Sequence, residues 1–154
     1  MNSPTGRLKL VANEKGLAAL YRENNQPHHA PFSDSTEEPH HPLLLEAEKQ
    51  LTEYFQKRRQ EFSLPLNPSG TEFQKKVWTA LSTIPFGETR SYGEVAKQIG
   101  NMKAARAVGA ANGRNPILIV IPCHRVVGAS GELTGFAGGL PAKKLLLNLE
   151  RIPL

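Results

Sequence analysis

The sequence contains a single cysteine, Cys123, and the two side chains that follow it can change its reactivity. These are His124 and Arg125, and an imidazole and a guanidinium both favour the thiolate, the nucleophilic form of cysteine. Five apolar residues at 117–121 and then Pro122 precede the thiol. This pattern predicts a buried strand that runs into a stiff turn and presents the thiol. A second interpretation stays open, because a lone cysteine after an apolar run also fits a small core residue.

Composition limits the classes of protein to consider. The 154 residues suffice for one domain or two small ones, and 39% hydrophobic with 6% aromatic content is ordinary for a globular protein. The apolar run before the cysteine is only five residues long, so the sequence predicts no membrane span and no membrane partner. The N-terminus lacks the charged and apolar regions of a secretion signal. One cysteine cannot form an internal disulfide, which favours a cytoplasmic location.

Charge is divided unevenly along the chain. Residues 1–66 contain eight Lys/Arg and nine Asp/Glu, a net charge of −1, whereas residues 67–154 contain eleven Lys/Arg and five Asp/Glu, a net charge of +6. These sum to the overall +5. The imbalance predicts that the second half meets a polyanion, and a generally basic surface is the plainer alternative.

The first 66 residues predict a small α/β unit. Alternating apolar residues from Leu8 to Ala12 and the run 17–21 after Gly16 indicate two strands, and an amphipathic helix of about four turns begins at Pro42. Alternation over 62–66 predicts a short edge strand. Between them, 24–42 reads as a loop, and its paired histidines are interpreted as solvated rather than metal-ligating: His28, His29, His40 and His41. A linker-like segment after Leu66 places the predicted boundary between domains 1–66 and 67–154.

The second half predicts a helix-turn-helix. Capping boxes begin at Thr71 and Ser91, and each opens an apolar helical face. Gly100 then favours a helix end, and a second short helix is predicted over 103–112. Two short helices joined by a tight turn are the arrangement in which the second helix enters a DNA groove.

The predicted second helix has an unusually bare surface. Alanines and Gly109 dominate it, and Arg106 is its main long side chain. Small residues permit close approach of either another helix or a DNA minor groove, and both interpretations remain open. At the end of the chain, a last helix from Pro141 stops at Glu150, where a carboxylate opposes the helix dipole. Arg151 or an imidazole elsewhere would compensate that charge.

These features together resemble the O6-alkylguanine-DNA alkyltransferase family, also called methylated-DNA–protein-cysteine methyltransferases. The resemblance rests on Pro-Cys-His-Arg-Val at 122–126, preceded by Asn115-Pro116 and followed by Gly138-Gly139 and Leu149-Glu150. It covers about residues 70–150, and the start at Ser3-Pro4 is also similar to that family's first domain. The resemblance implies an α+β protein: a small ribonuclease-H-like α/β domain and a mostly helical domain with the helix-turn-helix.

The resemblance also implies a role for each site residue. Cys123 is the alkyl acceptor, linked through water to His124, which Glu150 orients and favours in its protonated state. Asn115 ties the active-site turn together, and Tyr92 assists the departing guanine and the rotation of the phosphate behind it. Arg106 fills the gap left by the extruded nucleotide. The implied DNA contacts are Tyr92, Asn101, Lys103, Ala104, Ala105, Arg106, Ala107 and Gly109, and the implied base pocket is Tyr92, Val126, Ala137 and Gly138.

The implied reaction is direct repair of duplex DNA carrying O6-alkylguanine, with O4-alkylthymine as a further substrate. A thiolate cannot reach an alkyl carbon inside a stacked duplex, so the base must flip out, here through the minor groove. The product is a thioether, so each molecule acts once, as a monomer, with no metal or cofactor. Two alternatives stay open: a DNA-binding module without chemistry, and a cysteine hydrolase that uses Cys123 and His124.

Overall fold

A computed structural model describes residues 1–23, 37–38, 40–134 and 139–151. Its first part is a three-stranded antiparallel sheet covered by one helix. The strands are β1 (Asn2–Ser3), β2 (Gly6–Asn13) and β3 (Gly16–Arg22), in the order β1-β2-β3. The helix, α1 (Pro42–Phe55), contacts β2 and β3. The two strands and the helix predicted from the sequence are therefore confirmed.

Helix α1 begins where its sequence predicts. Pro42 occupies the first turn, and the Nδ1 atom of His41 accepts a hydrogen bond from the backbone N–H of Leu43 at 3.2 Å. One side of the helix is buried against the sheet and the rest of the core: Ala47, Gln50, Leu51 and Tyr54. His41 thus caps the start of α1 through its side chain.

The edge strand predicted over 62–66 does not form. Only Leu66 makes a bridge, a parallel one to Leu17. The backbone N–H of Ser63 is taken by the side chain of Gln50 at 2.9 Å, and Pro65 has no N–H to give. One of these two N–H groups is already bound and the other does not exist. Residues 62–66 therefore form an extended segment beside β3 and not a strand.

The second part is mostly helical. Its elements are α2 (Glu72–Leu81), β4 (Arg90–Ser91), α3 (Tyr92–Gln98), α4 (Ala105–Gly113), a single 3₁₀ turn (Cys123–Arg125), β5 (Val126–Val127) and α5 (Leu140–Leu149). Both predicted capping boxes are present. The hydroxyls of Thr71 and Ser91 each accept the N–H of the third helical residue, and the side chains of Gln74 and Glu94 accept in return.

Helices α3 and α4 form the predicted helix-turn-helix. Gly100 has a φ of 83°, a left-handed conformation that ends α3 without the strain a β-carbon would bring. Helix α4 begins at Ala105, two residues later than the prediction, so Lys103 lies in the turn and not in the helix. The α+β class with a helical, helix-turn-helix second part is confirmed.

The buried strand predicted over 117–121 is wrong. Ile117 makes one parallel bridge to Leu20 of β3, and the chain then turns sharply. Ile119 has a φ of 71°, and the N–H of Val120 binds the carbonyl of Leu118 at 2.7 Å, which is a γ-turn. The run is apolar because every side is buried or half-buried, and such a run does not distinguish a strand from a packed turn.

The Leu20 bridge also joins the two parts of the chain. Leu20 donates to the carbonyl of Pro116 at 2.8 Å and accepts from Leu118 at 2.9 Å. A single apolar core contains residues from β2, β3 and α1 together with residues from α2, α3, α4 and α5. The turn over 117–121, which leads to Cys123, therefore packs against the sheet of the first part. The boundary at 66/67 stays a prediction.

Candidate active site

Cys123 lies at the start of the 3₁₀ turn and is fully buried, with 0% of its surface exposed. Pro122 (φ −80°, ψ 63°) forms an inverse γ-turn in which the N–H of Cys123 binds the carbonyl of Ile121 at 2.8 Å. The side chain of Asn115 clamps the same segment. It donates to the carbonyl of Ile121 at 2.8 Å and accepts from the N–H of Ile117 at 3.0 Å. The thiol is thus held by a rigid turn.

His124 and Glu150 are brought together although 26 residues separate them. The Nε2 atom of His124 lies 2.7 Å from Oε2 of Glu150, and both side chains are fully buried. Because the carboxylate can only accept, Nε2 carries the hydrogen, and Nδ1 is the acceptor of the neutral imidazole. Within the described ranges, Nδ1 is buried and has no hydrogen-bond partner. It is therefore a free proton acceptor beside the cysteine in the sequence.

Arg125 does not face the thiol, contrary to the expectation that its guanidinium would favour the thiolate. Its Nε lies 2.8 Å from Oε1 of Glu150 and its Nη2 lies 3.0 Å from Oε2. Its Nη1 donates to the carbonyl of Ile84 at 2.6 Å, and its guanidinium carbon lies 5.8 Å from the ring centroid of Phe86. Arg125, together with His124, supplies the compensation for Glu150 that the sequence left open.

Two further donors reach Glu150 that sequence reasoning missed. The hydroxyl of Tyr54 donates to Oε2 at 2.6 Å, and the N–H of Gly87 approaches Oε1 at 3.4 Å. Tyr54 belongs to α1 of the first part and lies 96 residues from Glu150 in the chain. In the sequence it is one apolar position of an amphipathic helix, and no local signal marks its hydroxyl.

These contacts set the charges of the pair. Burial favours the neutral carboxyl of Glu150, but the hydrogen bonds and charges of His124 and Arg125 outweigh it and lower its pKa to about 2. Burial lowers the pKa of His124, and the nearby Arg125 and Lys143 act in the same direction. The attraction of Glu150 does not overcome them. Glu150 thus favours the protonated imidazole, as expected, but the pKa of His124 still lies below its ordinary value, and the protonation of His124 in the resting protein stays a prediction.

Burial also raises the pKa of Cys123, to about 11, although the hydrogen bond from Asn115 and the charge of Lys143 oppose the shift. The resting cysteine is a thiol that must lose its proton to react.

Lys143 is itself fully buried on α5, and its Nζ donates to the carbonyls of Val126, in a short hydrogen bond, and of Thr134 at 2.8 Å. Burial lowers the pKa of Lys143 to about 8. Sequence reasoning missed this lysine too.

Tyr92 begins α3, and its hydroxyl lies 2.6 Å from the hydroxyl of Thr134. Strand β4 ends at the preceding residue and pairs in parallel with β5, which contains Val126. Val126 follows the cysteine turn and is fully buried. Tyr92 and Val126 are thus held near each other by backbone pairing. The other two implied pocket residues, Ala137 and Gly138, lie outside the described residues, as do His28 and His29.

The implied DNA contacts divide into exposed and buried groups. The exposed residues are Asn101, Lys103, Arg106 and Ala107, whereas Ala105 and Gly109 are half-buried. Ala104 is 8% exposed and packs into the core, so its side chain does not lie on the open face of α4. Gly109 lies against Tyr92, since a β-carbon there would sit 3.7 Å from the tyrosine ring. Helix α4 therefore uses small residues for packing on one side and presents Arg106 on the other.

Two further properties concern the described residues. None of their helices has the length and apolar character needed to cross a membrane. None of their His, Cys, Asp and Glu side chains form a group of three or more that could hold a metal ion.

Two family models match the chain. Residues 1–68 match the ribonuclease-like domain of 6-O-methylguanine DNA methyltransferase, and residues 72–152 match the DNA binding domain of the same family. Among curated proteins, the chain is 51% identical over 149 residues to the methylated-DNA–protein-cysteine methyltransferase of Methanosarcina acetivorans, covering 96% of this chain and 94% of the relative. It is 52% identical to the protein of that name from Mycolicibacterium paratuberculosis, covering 98% and 90%.

Solved structures agree with these matches. The crystal structure of Mycobacterium tuberculosis OGT in complex with DNA superimposes with a TM-score of 0.91 at 48% identity, covering 98% of this chain and 90% of that one. A structure of an O6-methylguanine DNA methyltransferase from Methanococcus jannaschii gives a TM-score of 0.66 at 31% identity, covering 96% and 89%. From its enclosed thiol, its imidazole–carboxylate pair and these matches over nearly its whole length, the chain belongs to the family of methylated-DNA–protein-cysteine methyltransferases.

Proposed function

We propose that Cys123 accepts the alkyl group of O6-alkylguanine in duplex DNA, and of O4-alkylthymine as a further substrate, in a reaction that each molecule performs once. The observation that carries this proposal is the buried thiol on a clamped turn, next in sequence to an imidazole whose Nδ1 is an unpaired acceptor. Family membership supplies the reaction class: transfer from methylated DNA to a protein cysteine.

The chemistry follows from the protonation states. The thiol of Cys123 gives its proton towards Nδ1 of the neutral His124, directly or through a water molecule, and Glu150 stabilises the imidazolium that forms. The sulfur then forms a bond to the alkyl carbon as the bond from that carbon to O6 breaks. The electron pair stays on O6, and the departing guanine gains a proton, with Tyr92 as the proposed donor or hydrogen-bond partner. Overall, a proton replaces the alkyl group on guanine.

The thioether has no good leaving group, so the protein is not regenerated. A catalytic hydrolase would need an intermediate that water releases, and the proposed product offers none. The low pKa of Glu150 and the lowered pKa of His124 suit a single proton transfer away from the thiol. No cofactor or metal ion takes part in the proposed steps.

DNA recognition is proposed to use the exposed side of α4 and the turn before it. Asn101, Lys103, Ala105, Ala107 and Gly109 would approach the backbone and minor groove, and Arg106 would enter the stack where the base leaves. Tyr92, Val126 and the segment containing Ala137 and Gly138 would receive the flipped base. The proposal extends to a monomer with domains 1–66 and 67–154 that acts in the cytoplasm, where its thiol stays reduced.

Mass spectrometry tests the central step. The protein is mixed with a duplex that contains one O6-methylguanine, and the peptide that contains Cys123 is expected to gain one methyl group, with a limit of one per protein. Binding of the duplex with no mass gain would favour a DNA-binding module, and repeated turnover would contradict single use. A Cys123→Ser variant and a duplex with unmodified guanine serve as controls, and neither is expected to give the methylated peptide.

A further inference from the structure

We infer that Tyr54 is a positioning residue for alkyl transfer: its hydroxyl, supplied by the first part of the chain, holds the oxygen of Glu150 that faces His124 and moderates the charge of that oxygen. The inference rests on the proposed function, because it assigns His124 the role of proton acceptor for the thiol. It gives the first part of the chain a direct share in the chemistry.

The position of Tyr54 is closely defined. Its side chain is fully buried, and its hydroxyl donates to Oε2 of Glu150 at 2.6 Å. Its ring packs against three phenylalanines, with centroid separations of 5.4 Å to Phe55, 5.4 Å to Phe62 and 6.2 Å to Phe86. The rings come from α1, from the segment after it and from the loop before β4, so the phenol is directed at the carboxylate by contacts on several sides.

The hydroxyl shares one oxygen atom with the imidazole. Oε2 of Glu150 is bound by Tyr54, by Nε2 of His124 at 2.7 Å and by Nη2 of Arg125 at 3.0 Å. Each donor draws charge from that oxygen, so each weakens the attraction that remains for a proton on the imidazole. Loss of the hydroxyl therefore leaves a carboxylate that holds His124 more strongly in its protonated form. A protonated Nδ1 cannot accept the thiol proton.

The charged groups around His124 are unchanged by removal of this hydroxyl. Glu150 favours the protonated imidazole, whereas Arg125 and Lys143 oppose it. Cys123 precedes it in the turn and is neutral at rest. The phenol of Tyr54 stays un-ionised, because burial and the adjacent Glu150 raise its pKa. A change in the titration of His124 after loss of the hydroxyl thus reports the hydrogen bond itself.

The test uses the full chain with Tyr54→Phe, which keeps the packed ring and removes only the hydroxyl. We expect the rate of methyl transfer from duplex O6-methylguanine near neutral pH to fall about tenfold, the loss typical of one hydrogen bond to a charged group. The dissociation constant for the duplex should not change. The acidic limb of the pH–rate profile should move to higher pH, and the nitrogen NMR signals of His124 in the free protein should titrate at higher pH.

Tyr21→Phe is the matched control, because it removes a hydroxyl from another buried tyrosine of the first part. It should change neither the acidic limb nor the His124 titration. The inference is overturned if Tyr54→Phe transfers the methyl group at the parental rate. It is also overturned if the variant is slower and less thermally stable, but the acidic limb of its pH–rate profile and its His124 titration do not change. Failure of the unaltered chain to methylate Cys123 would contradict the proposed function instead, and the His124 titration would still decide whether the hydroxyl moderates Glu150.

Discussion

The guanidinium of Arg125 binds the carboxylate of Glu150 through two nitrogens, with Nε 2.8 Å from Oε1 and Nη2 3.0 Å from Oε2. Both charged groups are almost fully buried. The cation next but one to Cys123 in the sequence is therefore committed to the carboxylate that also binds His124. The same ion pair connects the cysteine turn to the end of α5, so we expect it to affect both stability and reactivity.

Arg125→Met should lower the free energy of unfolding by about 3 kcal/mol or more, because it leaves the buried Glu150 carboxylate without its charged partner. Urea denaturation measures the change. Arg90→Met is the matched control, since Arg90 pairs with Glu88 at 2.9 Å with both side chains substantially exposed. Loss of that surface pair should cost less than about 1 kcal/mol. Equal small losses for both variants would mean that the buried pair contributes no more than an exposed one.

The low pKa of Glu150 predicts how stability depends on acid. A carboxyl with an ordinary pKa of 4.5 when unfolded and about 2 when folded stabilises the native state above pH 4.5. That contribution is lost as the pH falls through this window towards 2, and its full size is roughly 3 kcal/mol. Glu150→Gln should remove this part of the pH dependence. Urea midpoints of the variant and the unaltered chain, measured from about pH 2 to about pH 7, should differ least at the acidic end, where Glu150 is protonated.

Lys143→Met should raise the pKa of Cys123 further, because the ammonium group opposes the effect of burial on the thiol. The pH dependence of Cys123 alkylation by iodoacetamide, followed by mass spectrometry, should move to higher pH. Methyl transfer should also slow, since Lys143 binds the carbonyls of Val126 and Thr134 beside the implied pocket. Lys144→Met, at the exposed neighbouring position, should leave both measurements at parental values. Coinciding alkylation profiles for the two variants would exclude an electrostatic role for Lys143.

Arg106→Ala should weaken methyl transfer from duplex DNA much more than transfer from free O6-methylguanine base. Its side chain is exposed on α4 and is proposed to occupy the space that the flipped nucleotide leaves, and a free base needs no such filling. Rates on the two substrates give the ratio directly. Arg114→Ala removes the same charge from the end of the same helix and should change that ratio less. A similar loss on both substrates in Arg106→Ala would remove the proposed role.

Local signals in the sequence predicted the helices well. The capping boxes at Thr71 and Ser91 each satisfy helix-start donors within four residues, so the pattern and the structure coincide. The approach of Glu150 to an imidazole was also suggested by its unfavourable place at a helix C-terminus. The capping boxes depend on residues only a few positions apart, and the unfavourable position of Glu150 at a helix end is visible in the sequence.

Other features depend on contacts that no local pattern encodes. The run 117–121 was expected to form a strand, but after one bridge to Leu20 the chain turns at Ile119, and the side chain of Asn115 binds the backbone of Ile117 and Ile121. Arg125 was expected to act on the thiol, but its guanidinium binds the carboxylate of Glu150, 25 residues away in the chain. Tyr54 reaches the same carboxylate from the opposite part of the chain. Such roles follow from tertiary packing, and they became visible only with the folded chain.

The parallel pairing of β4 with β5 places the start of α3 beside the segment that follows the cysteine turn. Arg90 and Ser91 pair with Val126 and Val127, so the residues that begin α3 are bonded to the residues that follow the cysteine turn. The helix-turn-helix that is proposed to dock on DNA is therefore connected to the cysteine turn by backbone pairing. In the proposed complex with DNA, we therefore expect the placement of α3 on the duplex to set which nucleotide lies opposite the sulfur.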